Sequence, residues 1–364
     1  MRWFWRLLTY LSILVVCPML GGWLTNKPLA PYLKFPPVSL PTRCAAFSWA
    51  AFFLLAGFLL LSISPFLRRV IFSTMKSLPK EEAQNPFPLW GWLGAALMMI
   101  SWIVAWNRFN WFAPVQEFTF TPLWLSYILV INALSFRRTG QCLLVTHTRY
   151  YLALFPLSAI LWWGFEYLNR FIENWYYVGV TDFGPWLYFV FATLPFSTVL
   201  PAVLGTAEWL NNYPRISADL NRFKPLAIPG SKTLSLMLIV AATAGLIALA
   251  IWPATLFFLT WLAPIALVSG LQSCSEKPRL LLDIEVGDWR RIWTLAVAGL
   301  ICGLFWEMWN FNSLSHWKYC VPNLQRFEIF EMPVLGYAGY LPFGVFCGLF
   351  LDFILPLSPL QKNV

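Results

Sequence analysis

Ten apolar runs, separated by loops that hold most of the charge, dominate the sequence: 7–24, 45–67, 89–106, 123–136, 150–171, 185–207, 233–252, 254–272, 292–310 and 334–356. A helix needs about 20 mostly apolar residues to cross a bilayer, and within lipid the chain must satisfy its own backbone polar groups. The runs predict an all-α fold: a polytopic transmembrane helix bundle of about ten spans. Run 123–136 is short, and Pro253 marks a tight hairpin between the seventh and eighth runs. Of the 364 residues, 59% are hydrophobic and only 11% charged, against about 25% charged in soluble domains. Soluble, disordered, collagen-like and coiled-coil chains are thereby excluded. The basic start at Arg2–Arg6 and apolar Leu7–Leu20 read as an uncleaved signal anchor, because no small-x-small cleavage site follows.

The net charge of +9 does not point to nucleic acid, because the basic residues are spread over loops between apolar runs. They carry a topology signal instead. With the N-terminus cytoplasmic, 18 of the 25 Lys and Arg fall inside and 7 outside. Both termini are then expected inside, with loops 68–88, 137–149, 208–232 and 273–291 cytoplasmic and 25–44 and 311–333 outside. The seven cysteines form no CxxC pair and read as small packing residues, Cys274 and Cys320 being thiols on opposite sides. With two histidines, on opposite sides, no metal site is expected. Walker, GxGxxG, GxSxG and HExxH patterns do not occur, so the reading carries no cofactor.

An internal repeat is visible. Phe165-Glu166-Tyr167-Leu168-Asn169 answers to Trp306-Glu307-Met308-Trp309-Asn310, and Trp175-Tyr176-Tyr177 to Trp317-Lys318-Tyr319. More weakly, the segment at 121–135 recurs at 252–268. An even number of spans separates the copies, so they are parallel repeats about an axis along the membrane normal. This divides the chain into an N-terminal two-span hairpin and cytoplasmic loop (1–88), a first four-helix repeat (89–210) and a second (211–364).

The repeats carry the chemistry. An acid inside the membrane costs on the order of 3 kcal/mol even on lenient scales, so Glu166 and Glu307 call for a reason. Counted from Tyr150 and Ile292, both lie roughly 22–24 Å along their helices, near the outer boundary. Asn169 and Asn310, three residues on, share their faces. Glu166 has Arg170 at the spacing of a helical ion pair, whereas Glu307 has Phe311 there and no local cation. A carboxyl group in a dry cavity can act as proton donor, which makes Glu307 the first catalytic candidate, with Glu166 and Glu331 assisting. The loop His316-Trp317-Lys318-Tyr319 to Tyr337 reads as a lid on an outer cavity, with Glu331 facing Glu307. Asn169, Asn310, Trp306, Trp317, Tyr319, His316 and Tyr337 are the candidate substrate contacts. Trp175, Tyr176 and Tyr337 also suit an interfacial aromatic belt.

Phe165–Phe171 with Asn174–Tyr177, and Trp306–Asn310 with Phe330-Glu331-Met332-Pro333-x-x-Gly336-Tyr337, resemble a group of uncharacterised bacterial multi-pass membrane proteins over about residues 120–350. That resemblance implies a bacterial inner (cytoplasmic) membrane location and no particular activity. More distantly, the order Glu, Trp-x-Tyr, Pro in two tandem copies is similar to the lycopene cyclase domain. There acidic residues follow the proline, where this chain has Phe196-Ser197 and Val334-Leu335. The implied function is a cofactor-independent membrane enzyme that transfers protons to an apolar isoprenoid or lipid. A transporter or lipid-handling protein, or a scaffold of a membrane complex, are the alternatives. The partners expected are membrane lipids or an apolar small molecule; the sequence does not settle oligomerisation.

Overall fold

The computed structural model describes residues 2–36, 44–76, 85–180 and 183–355. Its main helices are α1 (Arg2–Leu24), α2 (Trp49–Lys76), α3 (Leu89–Trp106), α4 (Phe120–Thr139), α5 (Thr148–Ile172), α6 (Pro185–Phe196), α7 (Val199–Asn211), α8 (Ser231–Ile251), α9 (Leu259–Ser273), α10 (Arg290–Phe311) and α11 (Tyr340–Ile354). The protein is an all-α polytopic bundle. Among the described residues nine segments are long and apolar enough to span a membrane, α6 and α7 together forming one of them. The tenth run is the 15-residue α9. The short element is thus not 123–136, which lies in a helix of 20 residues. Pro253 opens a short separate turn, Pro253–Leu256, at the expected hairpin between α8 and α9, which pack on each other, and a residue without an N–H suits a first helical position. Arg43, Lys80 and Lys362, counted in the charge asymmetry, and the chain end from 356 lie outside the described residues.

The helices on which the acids sit are the best buried. Over half of the apolar window of α5, of α6–α7 and of α10 is enclosed, whereas none of that of α2 is. The join between α6 and α7 is a broken helix at Ser197-Thr198, after Pro195. A neighbouring helix satisfies the break: Ser158 on α5 donates to the Phe196 carbonyl at 2.6 Å and accepts from the Leu200 N–H at 3.0 Å. Irregular backbone at membrane depth survives only with such internal partners.

Helices α10 and α11 cross closely through glycines. A Cβ at Gly299 would lie 2.4 Å from the Tyr340 carbonyl oxygen, and one at Gly344 only 2.1 Å from that of Leu295. Small residues let backbones approach in this way. Two short strands sit between the helix ends, β1 (Trp175–Val178) and β2 (His316–Tyr319), paired antiparallel with Trp175 opposite Tyr319 and Tyr177 opposite Trp317. A two-residue hairpin, β3 (Glu328–Ile329) with β4 (Met332–Pro333), follows.

The cysteine reading is corrected in part. Cys44 and Cys320 form a disulfide that ties the segment before α2 to the residue after β2. Cys320 is therefore no free thiol. Cys142, Cys302 and Cys347 are free and buried, as packing residues would be. Gly344→Val should push α11 off α10 and cost about 1–3 kcal/mol, as overpacking does. Unfolding in detergent, with Gly57→Ala at an open position as control, measures it.

Candidate functional site

Each of the two buried glutamates is held by aromatic donors from its own repeat. Glu166 Oε1 on α5 accepts from Trp162 Nε1 at 3.0 Å, Trp175 Nε1 at 3.0 Å and the Tyr177 hydroxyl at 2.6 Å. Glu307 Oε1 on α10 accepts from the hydroxyls of Tyr319 at 2.7 Å and Tyr340 at 2.5 Å. Tyr319 in turn accepts from Trp317 Nε1 at 2.7 Å. In both copies every donor goes to one oxygen, and Oε2 is buried with no protein partner. The strand phenols stay protonated donors, because burial raises Tyr177 and Tyr319 well above their ordinary range.

The strands reach the acids because two asparagines hold them. Asn169 donates to the Trp175 carbonyl at 2.7 Å and accepts from the N–H groups of Asn174 and Trp175. Asn310 does the same for Trp317, donating to its carbonyl at 2.7 Å and accepting from its N–H at 2.8 Å. These asparagines, predicted as substrate contacts, instead hold backbone and do not line the cavity. The antiparallel pairing then brings the Trp-x-Tyr segments of both repeats side by side.

Between the two sets lies an aromatic cavity of about 110 Å³, lined by the donors Trp162, Trp175, Tyr177, Trp317, Tyr319 and Tyr340 and by Trp261, Trp306, Phe196 and Met332. The carboxyl groups themselves sit behind this lining, so an occupant meets indole and phenol groups first. Trp124 packs on Trp306 at 5.0 Å between ring centroids, and Trp261 on Phe165 at 5.2 Å, so the residue before each acid meets a tryptophan from the other half of the chain.

The repeats differ at one decisive position. Four residues before the acid, the first repeat has Trp162, which donates directly; the second has Gly303. A Cβ there would come within 2.3–2.6 Å of the Tyr340 ring, so the missing side chain makes room for the phenol that replaces the indole.

Several expectations change. Arg170 makes no ion pair with Glu166; its guanidinium donates to the carbonyls of Tyr32 at 2.8 Å and Pro36 at 3.2 Å. Trp175 is no belt residue but 5% exposed and bound to Glu166. Glu331 is half-buried at the β3–β4 turn, near enough for its charge to act on Glu307 but outside the cavity lining and without a hydrogen bond to that acid. Tyr337 donates to the Ile329 carbonyl at 3.0 Å and does not line the cavity. His316, Trp306, Trp317 and Tyr319 do line it. Sequence reasoning missed Trp162, Tyr177, Tyr340 and Trp261. The repeat contained the signal for Tyr177, which answers to Tyr319 as Trp175 answers to Trp317. No family model, curated protein or solved structure matches this chain.

The two carboxyl sets share a cavity but no donor. In a double-mutant cycle, Tyr340→Phe and Glu307→Gln should couple by about 0.5–3 kcal/mol, whereas Tyr340→Phe and Glu166→Gln should add to within about 0.5 kcal/mol. Unfolding free energies in detergent measure both. Strong coupling of the second pair would contradict separate sets.

Proposed function

We propose that the chain is an integral membrane enzyme that moves protons on an apolar isoprenoid or lipid without a cofactor. The observation that carries this reading is the pair of buried glutamates, each loaded on one oxygen, behind a single aromatic cavity. Glu307, as the acid, passes its proton to the oxygen of Tyr319 or Tyr340 as that hydroxyl turns away from the carboxyl group and gives its own proton to a double bond. The indole and phenol faces stabilise the resulting cation, and Glu166 takes a proton back through Tyr177. The substrate gains one proton and loses one, so the product is an isomer or ring form of it, and the cycle closes when Glu166 releases its proton to water and Glu307 takes one up. At about 110 Å³, against about 300–1,000 Å³ for pockets that enclose a whole ligand, the cavity suits one end of a long apolar molecule. The likeness to the lycopene cyclase domain supports the same substrate class. Glu331, a candidate assistant on sequence, has no part in this scheme.

We place the protein in a bacterial inner membrane with both termini cytoplasmic and two four-helix repeats, 89–210 and 211–364, behind an N-terminal hairpin. The charge asymmetry supports this, and so does the disulfide on the side read as outer, since such bonds persist in oxidising compartments. In intact cells (spheroplasts where an outer membrane intervenes), an impermeant thiol reagent should reach Cys320 only after reduction and Cys274 only after permeabilisation. Labelling of Cys274 alone in unpermeabilised cells would reverse the orientation.

Transport is the second reading, favoured by one observation. A polar cavity lies at the other end of the same α7–α10–α11 seam, lined by Leu204, Leu295 and Leu351 where the aromatic cavity has Val199, Trp306 and Tyr340. Expression in a carotenoid- and lipid-producing host separates the readings. The enzyme reading expects a new apolar product with wild type, lost in Glu307→Gln and reduced in Tyr319→Phe. Identical extracts in all three, with flux into proteoliposomes that Glu166→Gln abolishes, would favour transport.

A further inference from the structure

The polar cavity has a chemistry of its own. It measures about 300 Å³, at the lower edge of the range for ligand pockets (about 300–1,000 Å³). Its wall includes Arg290, Arg291, Asn211, Asn221, Ser217 and Thr294. Arg291 holds the buried carboxylate of Asp352 through Nη2, at 2.8 and 2.7 Å. Its Nη1 is buried and has no protein acceptor among the described residues.

The acids around the cavity are already engaged. Arg290 grips Asp288 through Nε and Nη2. Asp219 is met by Arg222 at 3.0 Å and by Arg69 of α2 at 3.8 Å. The wall itself holds two arginines and two aspartates; with Arg69, Arg222, Arg279, Asp283 and Asp288, which act on them, five arginines face four aspartates, and the spare donors are guanidinium and amide N–H groups. The two carboxylates that line the cavity, Asp219 and Asp352, are each paired with arginine.

We propose that this cavity binds a phosphate group, whether on an anionic lipid headgroup or as free phosphate. Guanidinium groups match phosphate oxygens in geometry and charge. Asn211, Asn221, Ser217 and Thr294 add neutral hydrogen-bonding residues to the same wall. The cavity lies among α7, α10 and α11 at the end of the bundle read as rich in Lys and Arg, where basic pockets take lipid headgroups. The site does not depend on the chemistry assigned to the aromatic cavity.

The test uses the full chain in detergent with three probes: phosphatidylglycerol, phosphatidylcholine and inorganic phosphate against chloride at equal ionic strength. Binding is read by native mass spectrometry for the lipids and by thermal shift for all probes. Arg290→Gln leaves the Arg291–Asp352 pair intact, and Arg291→Lys keeps Asp352 paired with a cation. Loss of a hydrogen bond to a charged group corresponds to about tenfold or more in affinity. Phosphatidylglycerol should therefore bind at least about tenfold more tightly than phosphatidylcholine, and each variant should lose about that factor. A response to phosphatidylglycerol alone identifies a lipid headgroup. A response to inorganic phosphate that the variants abolish identifies a soluble source, and both results support the site. Equal binding of the two lipids with no phosphate response, or wild-type binding in the variants, overturns it. Should Arg291→Lys fail to fold, Arg290→Gln decides alone, since Arg290 is part-exposed.

Discussion

The pairing of β1 with β2 is the interaction on which the site depends. Each strand supplies a Trp-x-Tyr donor set to the acid of its own repeat, and each is anchored by an asparagine three residues beyond that acid. The register places Trp175 against Tyr319 and Tyr177 against Trp317, so a shift of one residue would turn the donors away from both carboxyl groups. Left without donors, an acid within the membrane costs on the order of 3 kcal/mol or more. The helices α5 and α10 can carry glutamate because these strands pair. The disulfide from Cys44 to Cys320, immediately after Tyr319, ties the end of β2 to the N-terminal segment and restrains the same geometry.

The pairing of the two Trp-x-Tyr strands sets the two acids behind one aromatic cavity, and the differences between their donors give them separate character. Glu166 receives two indoles and one phenol; Glu307 receives two phenols, one of them backed by an indole. The exchange of Trp162 for Gly303, with Tyr340 filling the space, is a substitution in which a helix crossing and a hydrogen-bond donor change together. In the proposed reaction, two groups alike in position and unlike in surroundings suit adding a proton at one place and removing it at another.

Much of this was legible in the residues. Run length and the rarity of charge fix a helical membrane bundle, because a bilayer leaves few other solutions. The repeat around Glu166 and Glu307 marked both acids as a pair. What stayed hidden was what depends on distant partners. Arg170 stands at ion-pair spacing from Glu166, yet carbonyls of the N-terminal segment capture it, and that segment is remote in sequence. Asn169 and Asn310 share a face with the acids, but helical spacing cannot say that a strand several residues later will fold back onto them. Trp175 looked like a belt residue because an indole in an interfacial loop has the same sequence appearance whether it meets lipid or a carboxylate. Tyr340 carried no local sign, since its reach to Glu307 depends on Gly303.

The proposed chemistry requires the buried acids to exchange protons with carbon in an apolar substrate. The most direct measurement places membranes containing wild type or Glu307→Gln in heavy water and follows apolar lipids by mass spectrometry. Wild type should introduce one non-exchangeable deuterium into an apolar component, and the Glu307→Gln membranes should not. An extract free of deuterium beyond background with wild type, or equal incorporation in both, would contradict the claim.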